Sequence, residues 1–284
     1  MYSAPSSRTA AMDETRGWGH PRTLDRDGSI LHYWEVGPAE APVVVLTHGA
    51  SMDHRMFDAQ LEPLLEAGYR VVSWDVRGHG LSKPLGREFS LEVVVEDLVA
   101  ILERCSVDRC VPVGQSFGGY VSQELLFRYP ERVTALGVIG ATDITTLPPT
   151  LEHLALKLSP YLFRVWPNEH LRKTTADRTA ETEVAKRYAY NATSQLSKSE
   201  FATVWKAVAN TLHAEPGYVI DRPFLLTHGE FDRTGTIGRD APSWAEKEPN
   251  CRYAVISNAG HNANQDNPDE FNEVLLEFLR RHAD

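Results

Sequence analysis

The feature that most constrains this chain is an alternation. Apolar runs of strand length, rich in β-branched residues, trade places with segments whose apolar residues recur every three to four positions. Parallel strands need a crossover between them and a helix is the usual one, so this order is the signature of βαβ units and a mostly parallel sheet. The runs "ILHYWEV", "PVVVLTHG", "YRVVSWD", "CVPVG", "TALGVIGA", "PFLLTHG" and "RYAVIS" read as strands. Between them, "MFDAQLEPLLEAG" reads as a helix stopped by Gly68, and "SLEVVVEDLVAILERC" as a helix with Ser90 as its N-cap. Phe117 to about Tyr129, "APSWAEKE" and the closing "PDEFNEVLLEFLRRH" read as helices too.

The alternation is interrupted once. The stretch 142–216 holds no convincing strand, carries Tyr161, Trp166, Tyr188, Tyr190 and Trp205, and shows helical spacing at Phe201, Val204, Trp205, Val208 and Leu212. An insertion of this kind reads as a helical cap over the sheet. The expected organisation is a loose polar leader over 1–20, a core made of 21–141 and 217–284, and the cap over 142–216.

A chain of 284 residues, 42% hydrophobic and 24% charged, is accounted for by one large α/β domain. Its 39 acidic residues outnumber 29 Lys and Arg, for a formal charge of −10 spread along the chain, which argues against nucleic acid or anionic membrane as a partner. Cys105, Cys110 and Cys251 are odd in number and lack C-x-x-C spacing, and no histidine pair has metal-ligand spacing; neither a disulfide framework nor a metal site is expected. No apolar stretch suits export or membrane spanning, so a cytoplasmic location is the expectation.

The stretch "GQSFGG", residues 114–119, lies where a β-branched run gives way to a helical pattern. A serine there is presented on a sharp strand-to-helix elbow, with Gly114 and Gly118 leaving room for the turn. The pattern alone is common. It is joined, in order along the chain, by His48-Gly49 after an apolar strand, "DVRGHG" from Asp75 to Gly80, "GEFD" from Gly229 to Asp232, and "AGH" from Ala259 to His261. With these five motifs the chain, over roughly residues 25 to 284, resembles the α/β-hydrolase superfamily in its capped esterase, lactonase and carbon-carbon hydrolase branch.

The resemblance implies an α/β-hydrolase fold, a mostly parallel central sheet flanked by helices, with the helical cap inserted before the penultimate strand. It also implies roles. Ser116 would be the nucleophile, a hydroxyl that needs an adjacent base to take its proton. His261, in the loop after the last strand, would be that base and then the general acid, and His79 and His228 would be structural. Asp232 would orient the imidazole, with Glu230 and Asp143 as rivals for that task. The oxyanion would meet the N–H of Phe117 and that of Ala50. Here "HGAS" departs from the H-G-x-P and H-G-G-G of many relatives, and Ser51 would add a hydroxyl donor to the substrate or cap the next helix.

Trp166 and Trp205 would line a substrate pocket in the cap. The implied enzyme needs neither cofactor nor metal and acts on a small carboxylic ester or lactone with an apolar or aromatic group. A carbon-carbon hydrolase, a lyase, a perhydrolase and a non-catalytic ligand receptor remain as alternatives on the same triad, and homo-oligomerisation stays open. Relatives that release halide or open epoxides place aspartate where this chain has Ser116.

Overall fold

The computed structural model describes residues 17–283. Most of the expected leader lies outside them. Its described end is not loose: Trp18 is buried and its indole N–H donates to Asp58 at 2.8 Å.

The described residues form one eight-stranded sheet. Its strands are β1 Arg22–Arg26, β2 Ser29–Val36, β3 Val43–Thr47, β4 Arg70–Trp74, β5 Val111–Gln115, β6 Leu136–Ile139, β7 Phe224–Gly229 and β8 Cys251–Ile256, in the spatial order β1-β2-β4-β3-β5-β6-β7-β8. The β1–β2 and β2–β4 pairs are antiparallel and all others parallel. Strand β1 has no counterpart in the sequence reading; its "RTLDR" is an exposed edge with a single apolar residue, so it carries no apolar run to find.

Helices α1 Asp58–Glu66, α2 Leu91–Arg104, α3 Phe117–Arg128, α8 Ile237–Lys247 and α10 Pro268–His282 cover the faces. The alternation of side chains along each strand sorts them into two layers. Val43 and Val45 join Leu98, Val121 and Trp244 of α2, α3 and α8 on one face, whereas Val44 and Leu46 join Leu61, Phe271 and Phe278 of α1 and α10 on the other. Strands buried on both faces have no need of a polar side, which is why β3 and β4 are buried end to end.

Between β6 and β7, before the penultimate strand, the chain folds into four helices: α4 Thr150–Val165, α5 Asn168–Thr179, α6 Glu183–Ser194 and α7 Lys198–Asn210. Each of the last two starts with a hydroxyl cap. Thr182 accepts from the Ala185 N–H, and Ser197 with Glu200 makes a reciprocal capping box. A short α9, Ala263–Asp266, precedes α10. Among the described residues no helix is long and apolar enough to cross a membrane.

Parallel strands all point the same way, so the loops after β3 to β8 gather at their C-terminal ends. That is where open α/β sheets bind ligands, and where every motif singled out from the sequence now sits.

Candidate active site

The elbow is real and strained. Ser116 closes β5 and opens α3 with φ 52° and ψ −115°, a conformation that costs a side-chain-bearing residue free energy and persists only where its surroundings enforce it. Two close approaches enforce it. A Cβ on Gly114 would run into the Gly118 carbonyl, and one on Gly118 into the Thr47 carbonyl, so only glycines let the turn pack this tightly. The Ser116 N–H donates to the Ile139 carbonyl at 2.8 Å, which ties the elbow to the end of β6. As the first residue of α3, Phe117 presents an N–H with no intrahelical acceptor.

The loop after β8 brings His261 to a buried position, and the loop after β7 brings Asp232. The two meet with Nδ1 2.9 Å from Oδ2, the histidine side chain 4% exposed and the carboxylate 0%. Burial by itself would raise the Asp232 carboxyl; the adjacent His261 ring and the hydrogen bond from the Thr234 N–H outweigh it and hold the group below the usual carboxylate range. Asp232 is therefore anionic beside the ring. The rivals are occupied elsewhere. Glu230 accepts from the Asn258 N–H at 3.0 Å, and Asp143 accepts from the Thr145 N–H and the Thr145 and Thr146 hydroxyls at 2.6–2.7 Å.

Gln115 links serine loop to histidine loop. Its side-chain amide donates to the His261 carbonyl at 3.0 Å, a cross-link over 146 positions. The sequence offered no signal for this beyond its place inside "GQSFGG".

Ala50 lies in the loop after β3, and that loop is clamped reciprocally to the loop after β4. His48 accepts from the Val76 N–H at 3.0 Å, and His79 accepts from the Ser51 N–H at 3.0 Å. Both rings are buried and burial is the main force lowering their pKa, to about 3 for His79, so both are neutral. A neutral imidazole has one N–H. With Nδ1 of His79 facing the Arg77 carbonyl at 3.0 Å and Nδ1 of His48 facing the Gly49 carbonyl at 2.8 Å, each Nε2 is left as the acceptor the clamp needs. His228 is bonded elsewhere, with Nε2 2.6 Å from the Tyr253 hydroxyl.

Ser51 is buried, with φ 62°, and its hydroxyl lies 3.3 Å from that of Thr193 in α6. It caps no helix. Capping falls to Asp53, whose carboxylate accepts from the Arg55 N–H at the head of the short 3-10 turn His54–Phe57. Trp166 stacks on Phe163 at 5.8 Å and Trp205 on Phe201 at 6.0 Å, with the Trp205 N–H donating to Ser159 at 2.9 Å. Both tryptophans belong to one apolar cluster with Leu171, Leu196 and Val204 that reaches down to Ala50 and Phe89, and Phe89 in turn stacks on Phe117 at 5.8 Å. The insertion thus packs on Ala50, and the core residue Phe89 continues its aromatic cluster to Phe117. Among the described residues no group of three or more His, Cys, Asp or Glu is placed to hold a metal ion.

The chain is similar to known proteins over most of its length. The bifunctional esterase/perhydrolase of Acinetobacter calcoaceticus is 26% identical over 274 residues, spanning 90% of this chain and 98% of that one. The bifunctional epoxide hydrolase 2 of Sus scrofa is 31% identical over 143 residues, but that match spans 50% of this chain and a quarter of the pig protein. Among solved structures, a hydrolase from Pseudomonas aeruginosa superposes with a TM-score of 0.80 at 24% identity over 92% of this chain and 98% of that one. The enol-lactonase of Burkholderia xenovorans superposes with a TM-score of 0.77 at 20% identity over 91% of this chain and all of the other. A family profile described as the alpha/beta hydrolase fold matches residues 42–268, and with this topology and these loops it establishes that the chain belongs to the α/β-hydrolase family.

Proposed function

We propose that this hydrolase cleaves a carboxylic ester or lactone, with Ser116 as nucleophile, His261 as general base and then acid, and Asp232 as the residue that orients and charges the imidazole. The observation that carries the reading is the buried Asp232–His261 pair at 2.9 Å, together with a strained serine at the strand-to-helix elbow. In the acylation step the Ser116 hydroxyl adds to the substrate carbonyl as its proton passes to His261 Nε2. Asp232 then faces an imidazolium whose charge it offsets. The N–H groups of Phe117 and Ala50 receive the oxyanion, the tetrahedral adduct expels the alkoxide, and His261 protonates it. Water, deprotonated by the same ring, releases the acid from the acyl-enzyme.

A serine at 116 favours acyl transfer over epoxide opening on chemical grounds. Acylating a hydroxyl gives an ester that water cleaves, whereas alkylating it gives an ether that water does not. The aromatic cluster above Ala50 favours an apolar or aromatic acyl or alcohol group. The esterase/perhydrolase relative, which covers nearly the whole chain, supports an ester as substrate and leaves peracid formation as the variant in which peroxide replaces water at the second step.

The test uses p-nitrophenyl acetate and butyrate, a lactone panel and a fluorophosphonate probe. The expected result is labelling at Ser116 only and a fall of roughly a million-fold in turnover for Ser116→Ala. Full hydrolysis by a clean Ser116→Ala preparation would sink the proposal.

A further inference from the structure

Besides an aromatic cluster packed on Leu85 and Phe89 and an ion pair from Glu152 to Arg239 of α8, the helical insertion is hydrogen-bonded to two loops of the candidate site. At one end, the turn between α5 and α6 meets the His261 loop. Asp266 accepts from the Glu181 N–H at 2.9 Å, from the Thr182 N–H at 2.8 Å and from the Thr182 hydroxyl at 2.9 Å. The same carboxylate accepts from the Gly260 N–H at 2.9 Å, and the Asn262 N–H donates to the Thr179 carbonyl at 2.7 Å. The residues on either side of His261 are therefore bonded to this turn or to the carboxylate that holds it.

At the other end, α6 meets the loop that carries Ala50. The Tyr188 hydroxyl accepts from the Asp53 N–H at 3.0 Å and donates to the Asp53 carbonyl at 2.9 Å, so one side-chain oxygen holds both backbone groups of one residue. Thr193 reaches the Ser51 hydroxyl at 3.3 Å, and Gln195 donates to the Asp53 carboxylate at 3.2 Å. Burial, and then the Asp53 charge, push the Tyr188 phenol well above its ordinary value, so the hydroxyl keeps the proton it donates.

A helix rises about 1.5 Å per residue. From Thr182 to Thr193, α6 thus spans roughly 16 Å with one loop of the site bonded to each end. Three side chains, Tyr188 and Thr193 of α6 and Gln195 just after it, bond the 51–53 segment, which begins at the positive-φ Ser51, the neighbour of Ala50. An oxyanion donor must be fixed before charge appears, since a donor that has to reorganise loses most of its effect.

We propose that the α5–α6 hairpin is a strap that sets the Ala50 loop against the His261 loop, with Tyr188 and Thr193 as positioning residues for the oxyanion donor. The proposal rests on Ser116 as nucleophile and Ala50 as oxyanion donor. Tyr188→Phe removes one oxygen and leaves the Asp53 N–H without its acceptor. With p-nitrophenyl acetate, the smallest substrate, kcat should fall by roughly ten- to a hundredfold, the scale of a small misplacement at a reacting centre, with KM little changed. Thr193→Val, which swaps a hydroxyl for a methyl of similar size, should lower kcat less and in the same direction. It carries the test if Tyr188→Phe does not fold. Tyr190→Phe removes a hydroxyl from the same helix that bonds the exposed Glu169, and should leave kcat at the parent value.

Fluorophosphonate labelling separates the two levels. A parent protein that does not label at Ser116 overturns the functional reading and the strap with it. Labelling at Ser116 with unchanged kcat in both Tyr188→Phe and Thr193→Val overturns the strap alone. So does a rise in KM at constant kcat, which would make Tyr188 a pocket wall, or an equal loss in Tyr190→Phe, which would make the effect one of helix stability.

Discussion

Replacing Asp232 by asparagine is the perturbation whose outcome the geometry constrains most tightly. Oδ1 of Asp232 accepts from the Thr234 N–H at 2.9 Å while Oδ2 faces His261 Nδ1 at the same distance. An asparagine must keep a carbonyl oxygen toward Thr234, since its amide nitrogen cannot accept. Its NH2 is then forced toward Nδ1, which must become the acceptor, and the ring's one proton moves to Nε2. The ring can no longer take a proton from Ser116.

The magnitude comes from the lost charge. Both side chains are almost wholly removed from water, 0% exposed for the aspartate and 4% for the histidine, so solvent screens the pair little. Opposite unit charges 2.9 Å apart attract by roughly 5–6 kcal/mol at an effective dielectric near 20. That corresponds to about four powers of ten in rate, the order of loss for the same change in a serine-protease triad. The assay is kcat/KM on p-nitrophenyl acetate, with the melting temperature measured alongside. Asp232→Asn should lose about ten-thousandfold while staying folded. Glu230→Gln and Asp143→Asn, whose oxygens are bonded elsewhere, should stay within about tenfold. A crippled Asp143→Asn beside a near-neutral Asp232→Asn would refute the argument.

The other expectations concern the proposed pocket and the acid limit. Trp205→Phe keeps an aromatic ring but drops the bond to Ser159, and Trp166→Ala opens the cluster over Ala50. Each should alter the ratio of kcat/KM for bulky against acetyl esters by roughly tenfold, the scale of a pocket contact, and equal losses on every ester would count them as core. Burial raises the Asp53 carboxyl, but the Arg55 guanidinium more than offsets this and holds it at about 2, against 3.8 for the free group. A depressed carboxyl stabilises the fold above its unfolded pKa, and the contribution is lost as pH falls through the folded one. The stability gap between parent and Asp53→Asn, measured by urea unfolding, should be full above about pH 4 and close toward pH 2. A gap independent of pH over that window would show that Asp53 acts without its charge.

Local chemistry made much of this protein readable in advance. Apolar runs of strand length mark β2 to β8 and a repeat of three to four marks the helices on both faces, because a strand between two helical layers buries both its sides whereas a helix buries one. Ser90 caps α2 as its position before an apolar run implies, and the glycines around Ser116 announce a turn that a Cβ would block. The chain order of Ser116, Asp232 and His261 is likewise a linear property.

What the chain does not spell out is which groups meet across it. Three carboxylates were open as partners of His261, and only packing puts Asp232 against the ring while Glu230 holds Asn258 and Asp143 folds back on Thr145. Trp18, at the end of an expected loose leader, is buried because Asp58 and the face of α1 are there to receive it. Strand β1 exists because β2 offers an edge, with no apolar run of its own to announce it. Gln115, Tyr188 and Asp266 acquire their meaning over separations of 146, 135 and 84 positions. A hydrogen bond at such range depends on where the folded backbone places its two ends, and no local repeat encodes that. The sequence by itself determined most of the elements and the order of Ser116, Asp232 and His261; the tertiary structure added the edge strand β1 and decided which groups touch.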